Sequence, residues 1–232
     1  MRNKFDMQLD YLNEQLIHMG ELCEIAINRA TEALQHGSME EAKEVISADE
    51  EIDQMEKDIE RLCLKLLLQQ QPVARDLRQI SAALKMITDM ERIGDQASDI
   101  AEIIISEKKS EGAEIPKIGK MSEAVAKMVR DSVTAYVKKD LELSRNVMEA
   151  DDAVDELFEE NKRDLIAFIA QNKGDAGRET IDLIMVAKYL ERIGDHATNI
   201  AEWVEFSITG IHKESQVSVS YTHLTLPTIL RV

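Results

Sequence analysis

The chain has little of most residues that mark a site by themselves. It holds 2 cysteines, 3 prolines and 4% aromatic residues in 232 positions. Cys23 and Cys63 stand apart, in no C-x-x-C, inside apolar helical patterns, so they read as buried thiols in a reducing compartment rather than as a disulfide, zinc or redox pair. No apolar run approaches the 18 or so residues of a membrane span. Met1–Gly20 lacks the charged and apolar regions of a secretory signal. Positive charge is also scarce. With 28 Lys and Arg against 45 Asp and Glu, the net charge is −17, which gives no basic footprint for nucleic acid and no electrostatic attraction to an anionic membrane. Cations and basic protein surfaces remain as natural partners. There is no Gly-rich phosphate loop, no G-x-S-x-G and no Cys/His zinc spacing.

What is abundant is helix-forming material: Ala, Leu, Ile, Met, Glu and Lys. Apolar residues recur at steps of three and four, as at Ile52, Met55, Ile59, Leu62 and Leu66, with acids filling much of the opposite face. This periodicity predicts six helices, at about 5–36, 39–70, 73–107, 118–138, 140–171 and 176–210. The breaks between them carry turn chemistry. Gly37-Ser38 ends one helix and caps the next, Pro72 opens the third, 111–116 is a mid-chain linker, and Asn172-Lys173-Gly174 closes the fifth. Short loops between long helices make antiparallel neighbours.

The chain also says one thing twice. Glu91-Arg92-Ile93-Gly94-Asp95-Gln96-Ala97-Ser98-Asp99-Ile100-Ala101-Glu102 returns 100 residues later as Glu191-Arg192-Ile193-Gly194-Asp195-His196-Ala197-Thr198-Asn199-Ile200-Ala201-Glu202, with nine of twelve positions identical. A second match, Val45–Asp53 with Val147–Asp155, extends the duplication. The expected fold is all-α: two tandem three-helix bundles, residues 1–110 and 111–214. Residues 215–232 fit neither repeat and are expected to be disordered or foreign to the domain.

Both copies retain carboxylates four residues apart, on one helix face: Asp49 with Asp53 and Glu91 with Asp95 in the first repeat, Asp151 with Asp155 and Glu191 with Asp195 in the second. Like charges at that spacing repel unless something positive lies between them. Oxygen-only ligands suit hard cations such as Mg²⁺, Mn²⁺ or Ca²⁺, and ferric iron. Asp99 extends the first stripe by a turn. Its counterpart Asn199 keeps an oxygen but no charge, so the two sites are not expected to be identical. Mid-helix glycines at 94 and 194, each costing roughly 1 kcal/mol against Ala, point to close approach of a helix or ligand. The competing account is a set of salt bridges to Arg92, Arg192 and more distant arginines (Arg61, Arg75, Arg78, Arg163, Arg178). A di-iron carboxylate enzyme would place His three residues after Glu, where this chain has Gly94 and Gly194. A metal-free helical scaffold is the remaining alternative. His196 has Gln96 as its counterpart, which argues against a shared ligand role, and Trp203 reads as a packing anchor.

An E-R-I-G-D-x-A-x-[DN]-I-A-E segment in each third helix, with A-D-x-x-[IV]-D in each second helix, resembles the PhoU family of bacterial phosphate-transport and phosphate-signalling regulators, over about residues 5–212. The resemblance implies a cytoplasmic homodimer, held at the membrane only through partners and with no enzymatic activity. It implies negative regulation of phosphate uptake and of phosphate-starvation signalling, between a phosphate ABC transporter ATPase and the sensor histidine kinase of a two-component system. It further implies metal ions (iron, zinc, manganese or magnesium) at Asp49, Asp53, Glu91, Asp95 and Asp99, and at Asp151, Asp155, Glu191, Asp195 and Asn199.

Overall fold

The structure, a computed structural model, describes residues 2–70, 72–106, 116–171 and 177–211. Six helices run in the order α1 (Arg2–His36), α2 (Met39–Gln70), α3 (Ala74–Ser106), α4 (Pro116–Lys138), α5 (Leu141–Gln171) and α6 (Gly177–Thr209), with no strand among the described residues. The fold is all-α, as the periodicity predicts, and every described helix end falls within three residues of its expected place. The 215–232 tail, Asn172-Lys173-Gly174 and most of the 111–116 linker lie outside the described residues.

The helix ends follow local chemistry. Gly37 takes φ 65°, and the Ser38 Oγ accepts a hydrogen bond from the Glu41 backbone N–H at 3.2 Å, capping α2. Asp140 caps α5 in the same way through Leu143 N–H at 3.0 Å. Pro116 is the first residue of α4, where its missing N–H costs nothing.

Each repeat is a three-helix unit, but the two share one core. Helix α3 packs on α6 as extensively as it does on its own repeat partner α2, and α1 packs on α4. Helices α1, α3, α4 and α6 therefore form the centre, with α2 and α5 on the flanks. The α3–α6 crossing is antiparallel: Asp89 meets Asn199, and Arg78 meets Gly210. The apolar stripes supply a continuous interior, including Leu12, Leu16, Ile59, Ile80, Met86, Ile193 and Ile200, all inaccessible or nearly so. Cys23 and Cys63 are buried as expected, and burial pushes both thiols up to about 12, so neither ionises near neutrality. On α2, Cys63 takes the innermost place and Leu62 lies only partly buried beside it.

Polar contacts join the repeats both at the surface, where Arg130 of α4 pairs with Glu24 of α1, and in the core. The Thr31 and Ser122 hydroxyls share a hydrogen bond of 2.7 Å between α1 and α4. Thr31→Val strands the Ser122 hydroxyl and should cost about 1–2 kcal/mol, whereas Thr31→Val with Ser122→Ala should cost clearly less, because no buried donor is then left unmet. Urea melts of the two variants measure the difference. Equal losses would show that packing at Thr31, not the hydrogen bond, holds this contact.

Candidate functional site

The acidic stripes of α2 and α3 meet around Asp49. Burial raises the Asp49 carboxyl to about 6, and the charges of Asp95, Asp53, Glu91 and Asp99 push it the same way. Five of the residues singled out in the first repeat thus stand within electrostatic reach of one another. Glu91 and Asp99 are raised as well, each first by burial and then by neighbouring acids. The Asp49 Oδ1 is buried and receives no hydrogen bond. Gly94 makes this arrangement possible: a Cβ there would lie 2.6 Å from Asp49 Oδ1 and 3.0 Å from Ile52 Cδ1. The close approach expected at the glycine is that of α2.

Neutralisation is partial and comes from local cations. Lys57 stands 3.6 Å from Asp53, while Arg92 stands 3.5 Å from Glu91 and 3.9 Å from Asp95. Arg92 is more than half exposed, and such pairs are worth little. Of the distant arginines, Arg61 pairs with Asp58 instead, and Arg75 and Arg78 reach no carboxylate among the described residues. They do not neutralise the stripe.

The second repeat copies the plan with less charge. Asp151 is raised to about 6 by burial and then by Asp195 and Asp155, with the Thr198 hydroxyl working in the opposite direction. Glu191 is paired with Lys188, and Asp155 and Asp195 are exposed. Gly194 again faces α5, but more loosely: its Cβ would lie 3.3 Å from Asp151 Oδ1.

The third position of each stripe looks toward the other repeat. The Asn199 amide donates to Asp89 Oδ1 at 3.2 Å, and His196 Nδ1 lies 2.9 Å from the same oxygen. Asp99 lies near Tyr189 and Arg192 of α6: burial and then the Asp99 charge raise the Tyr189 hydroxyl, and Arg192 works against the burial and neighbouring acids that raise Asp99. His196 and Asn199 are thus occupied by an inter-repeat contact that the sequence does not announce, because Asp89 sits outside both repeated motifs.

In chemistry the first cluster fits a hard cation: its donors are all oxygen, its charges are only partly compensated and one buried oxygen has no donor. It is not a finished cage. Among the described residues, no three His, Cys, Asp or Glu side chains are drawn together tightly enough to hold a metal ion as they stand. Asp49, Asp53, Glu91 and Asp95 would be the ligating set, after side-chain rotation, with Asp99 beside them.

Comparison with known proteins agrees with this duplicated plan. The family pattern for the PhoU domain matches twice, over residues 16–104 and 118–204. The phosphate-specific transport system accessory protein PhoU homolog of Clostridium acetobutylicum is 37% identical over 214 residues, covering 90% of this chain and 96% of that protein. The homolog of the same name from Aquifex aeolicus is 41% identical over 191 residues, covering 82% and 86%. The crystal structure of PhoU from Pseudomonas aeruginosa superimposes with a TM-score of 0.82 at 33% identity, over 89% of this chain and all of that one. The phosphate transport system regulatory protein PhoU from Streptococcus pneumoniae, at 24% identity and TM-score 0.83, shares the fold over 90% of this chain and 98% of its own. The relatives carry the name of accessory proteins, not of enzymes, and no described helix is long and apolar enough to cross a membrane. With two family domains over most of its length and relatives above 30% identity across nearly their whole sequences, the chain belongs to the PhoU family.

Proposed function

We propose that the chain is a non-enzymatic accessory regulator of a phosphate-specific transport system, which restrains uptake and phosphate-starvation signalling when phosphate is plentiful. The family match supports the regulatory reading, and the observation that carries the cation site is the only partly neutralised acidic centre around Asp49, built twice by duplication. A cation such as Mg²⁺, Mn²⁺, zinc or iron held by Asp49, Asp53, Glu91 and Asp95 would relieve that repulsion. The second set, Asp151, Asp155, Glu191 and Asp195, would hold one more weakly, because Lys188 already pairs with Glu191. A carboxylate-rich face also suits basic patches on the transporter ATPase or on a sensor kinase, where complementary charge sets recognition and association rate. The protein would work as a homodimer in the cytoplasm, at the membrane through those partners.

Two measurements test the reading. Glu91→Lys with Asp95→Lys should derepress phosphate-starvation genes in phosphate-rich medium while leaving the helical circular dichroism intact. Full repression by the folded variant would remove the acidic face from the function. Elemental analysis of protein purified without chelator should find metal that is lost in Glu91→Ala/Glu191→Ala, and EDTA should lower the melting temperature of the wild type alone. Absence of metal together with an unmoved melt would leave a metal-free scaffold.

A further inference from the structure

The mouth of the bundle formed by the start of α3 and the ends of α4 and α6 holds a cavity of about 290 Å³, lined by Arg75, Arg78, Gln79, Tyr136, Lys139, Ser207 and Ile208. Three of its seven lining residues are cations and none is acidic, in a chain whose net charge is −17. No carboxylate stands within ion-pair distance of Arg75, Arg78 or Lys139 among the described residues. The nearby acids are engaged elsewhere: Asp140 caps α5 through Leu143 N–H, and Glu205 pairs with Arg145 at 2.8 Å. Asp76, in the first turn of α3, does not line the cavity. The neutral donors are also committed inward. The Tyr136 hydroxyl donates to the Gln79 carbonyl at 2.8 Å and the Ser207 hydroxyl to the Val204 carbonyl at 2.7 Å. That leaves the three cationic groups, with the Gln79 side-chain amide, as the uncommitted donors of the cavity. Arg78 is the innermost of the three cations, half-buried, with its Nε inaccessible and unbonded and its guanidinium 3.5–3.6 Å from the place a Cβ of Gly210 would take.

We propose that this cavity binds a phosphate-type oxyanion. Two arginines and a lysine lining one cavity without a counter-ion match a multiply charged tetrahedral anion better than a single carboxylate. The positive end of the α3 dipole favours an anion while the C-terminal ends of α4 and α6 oppose it, so the cationic side chains carry the attraction. Two further features set the cavity apart from scaffold. Lys139 holds φ 55°, a left-handed position after α4 that glycine would fill without strain, yet the residue there carries a charge. The duplicate half does not repeat the cation set: 100 residues on, Arg75, Arg78 and Gln79 correspond to Asp175, Arg178 and Glu179. The fold itself therefore does not demand it. The cavity lies about 20 Å along α3 from the acidic stripe, at 1.5 Å per residue between Arg78 and Glu91, so the inference stands independently of any cation there and of the regulatory reading.

The anion would be free inorganic phosphate or the phosphoryl group of a larger molecule such as a nucleoside monophosphate. Calorimetric titration of the full chain with inorganic phosphate, and separately with AMP, at constant ionic strength distinguishes the two. Saturable binding of both with similar affinity assigns the free anion. AMP binding at least about tenfold tighter, the worth of one further good contact, assigns a phosphoryl ligand with a body. Arg78→Gln should weaken the binding by about tenfold or more. Lys139→Gly should also weaken it, while raising the melting temperature through relief of the left-handed lysine, an outcome that a purely structural lysine cannot give. No saturable heat with either probe, or the same affinity in the folded Arg78→Gln and Lys139→Gly variants, overturns the proposal.

Discussion

Alanine at the two duplicated glycines should have opposite effects. At Gly94 a Cβ would meet Asp49 Oδ1 at 2.6 Å and the buried Ile52 side chain at 3.0 and 3.2 Å. Asp49 can swing outward, but Ile52 is 1% exposed and fixed in the core. Overpacking of this kind costs about 1–3 kcal/mol, against about 1 kcal/mol regained from helix propensity. The upper half of that range applies, since two side chains must yield, and Gly94→Ala should lose about 1–2 kcal/mol, or several degrees in melting temperature. At Gly194 the nearest atoms lie at 3.3, 3.4 and 3.6 Å. Small shifts absorb them, and the propensity gain should leave Gly194→Ala neutral or slightly more stable. Thermal melts of the two single variants decide the matter. Equal destabilisation would mean that the repeats pack alike and that the looser α5–α6 contact is not real.

The same pair of glycines shows how far the sequence can be read. The doubled E-R-I-G-D segment establishes that a glycine is wanted beside a carboxylate, and amphipathic periodicity places six helices almost to the residue, because both are local properties of the chain. The local pattern cannot say which repeat packs tighter, since Ile52 in the first copy aligns with Val154 in the second and the effect of that lost methylene appears only when α5 is laid on α6. Asn199 reads as the third member of an acidic stripe and His196 as a residue with no shared ligand role, yet the partner of both is Asp89, which no motif marks. Tandem three-helix repeats are legible from the duplication. Their fusion through α3 and α6 into one core is not, because apolar periodicity does not identify the partner of an apolar face. The cationic cavity is the extreme case: Arg75 and Arg78, Lys139 and Ser207 come from three helices, and in sequence the arginines look like counter-ions for an acidic chain.

Acid should stabilise the metal-free protein. Asp49 and Asp151 are raised from an ordinary 3.8 to about 6, so the folded state holds these protons more tightly than the unfolded chain does. The stabilisation is fully present below about pH 4 and is lost as pH rises through about 6. Glu91 and Asp99 shift in the same direction and add to it. At about 1.4 kcal/mol per unit of pKa each aspartate would contribute nearly 3 kcal/mol, but both side chains are partly open to solvent, and screening reduces this to about 1 kcal/mol each. In chelator, then, the melting temperature should be higher at pH 5 than at pH 8. Asp49→Asn should raise the pH 8 value and flatten the profile, since it removes the carboxylate most burdened by its neighbours. Added Mn²⁺ or Mg²⁺ at pH 8 should stabilise the wild type by about 2.7 kcal/mol at a hundred times its dissociation constant. Asp49→Asn should lose most of that response and Asp151→Asn much less of it, because Lys188 and Asn199 leave the second cluster with less charge to offset. A single substitution that stabilises the bare protein and abolishes its response to cations would place the repulsion and the ligand at the same oxygen atoms. A flat pH profile in chelator, or undiminished cation stabilisation of Asp49→Asn, would show instead that Lys57 and Arg92 already neutralise the cluster and that the acids serve as a solvated face.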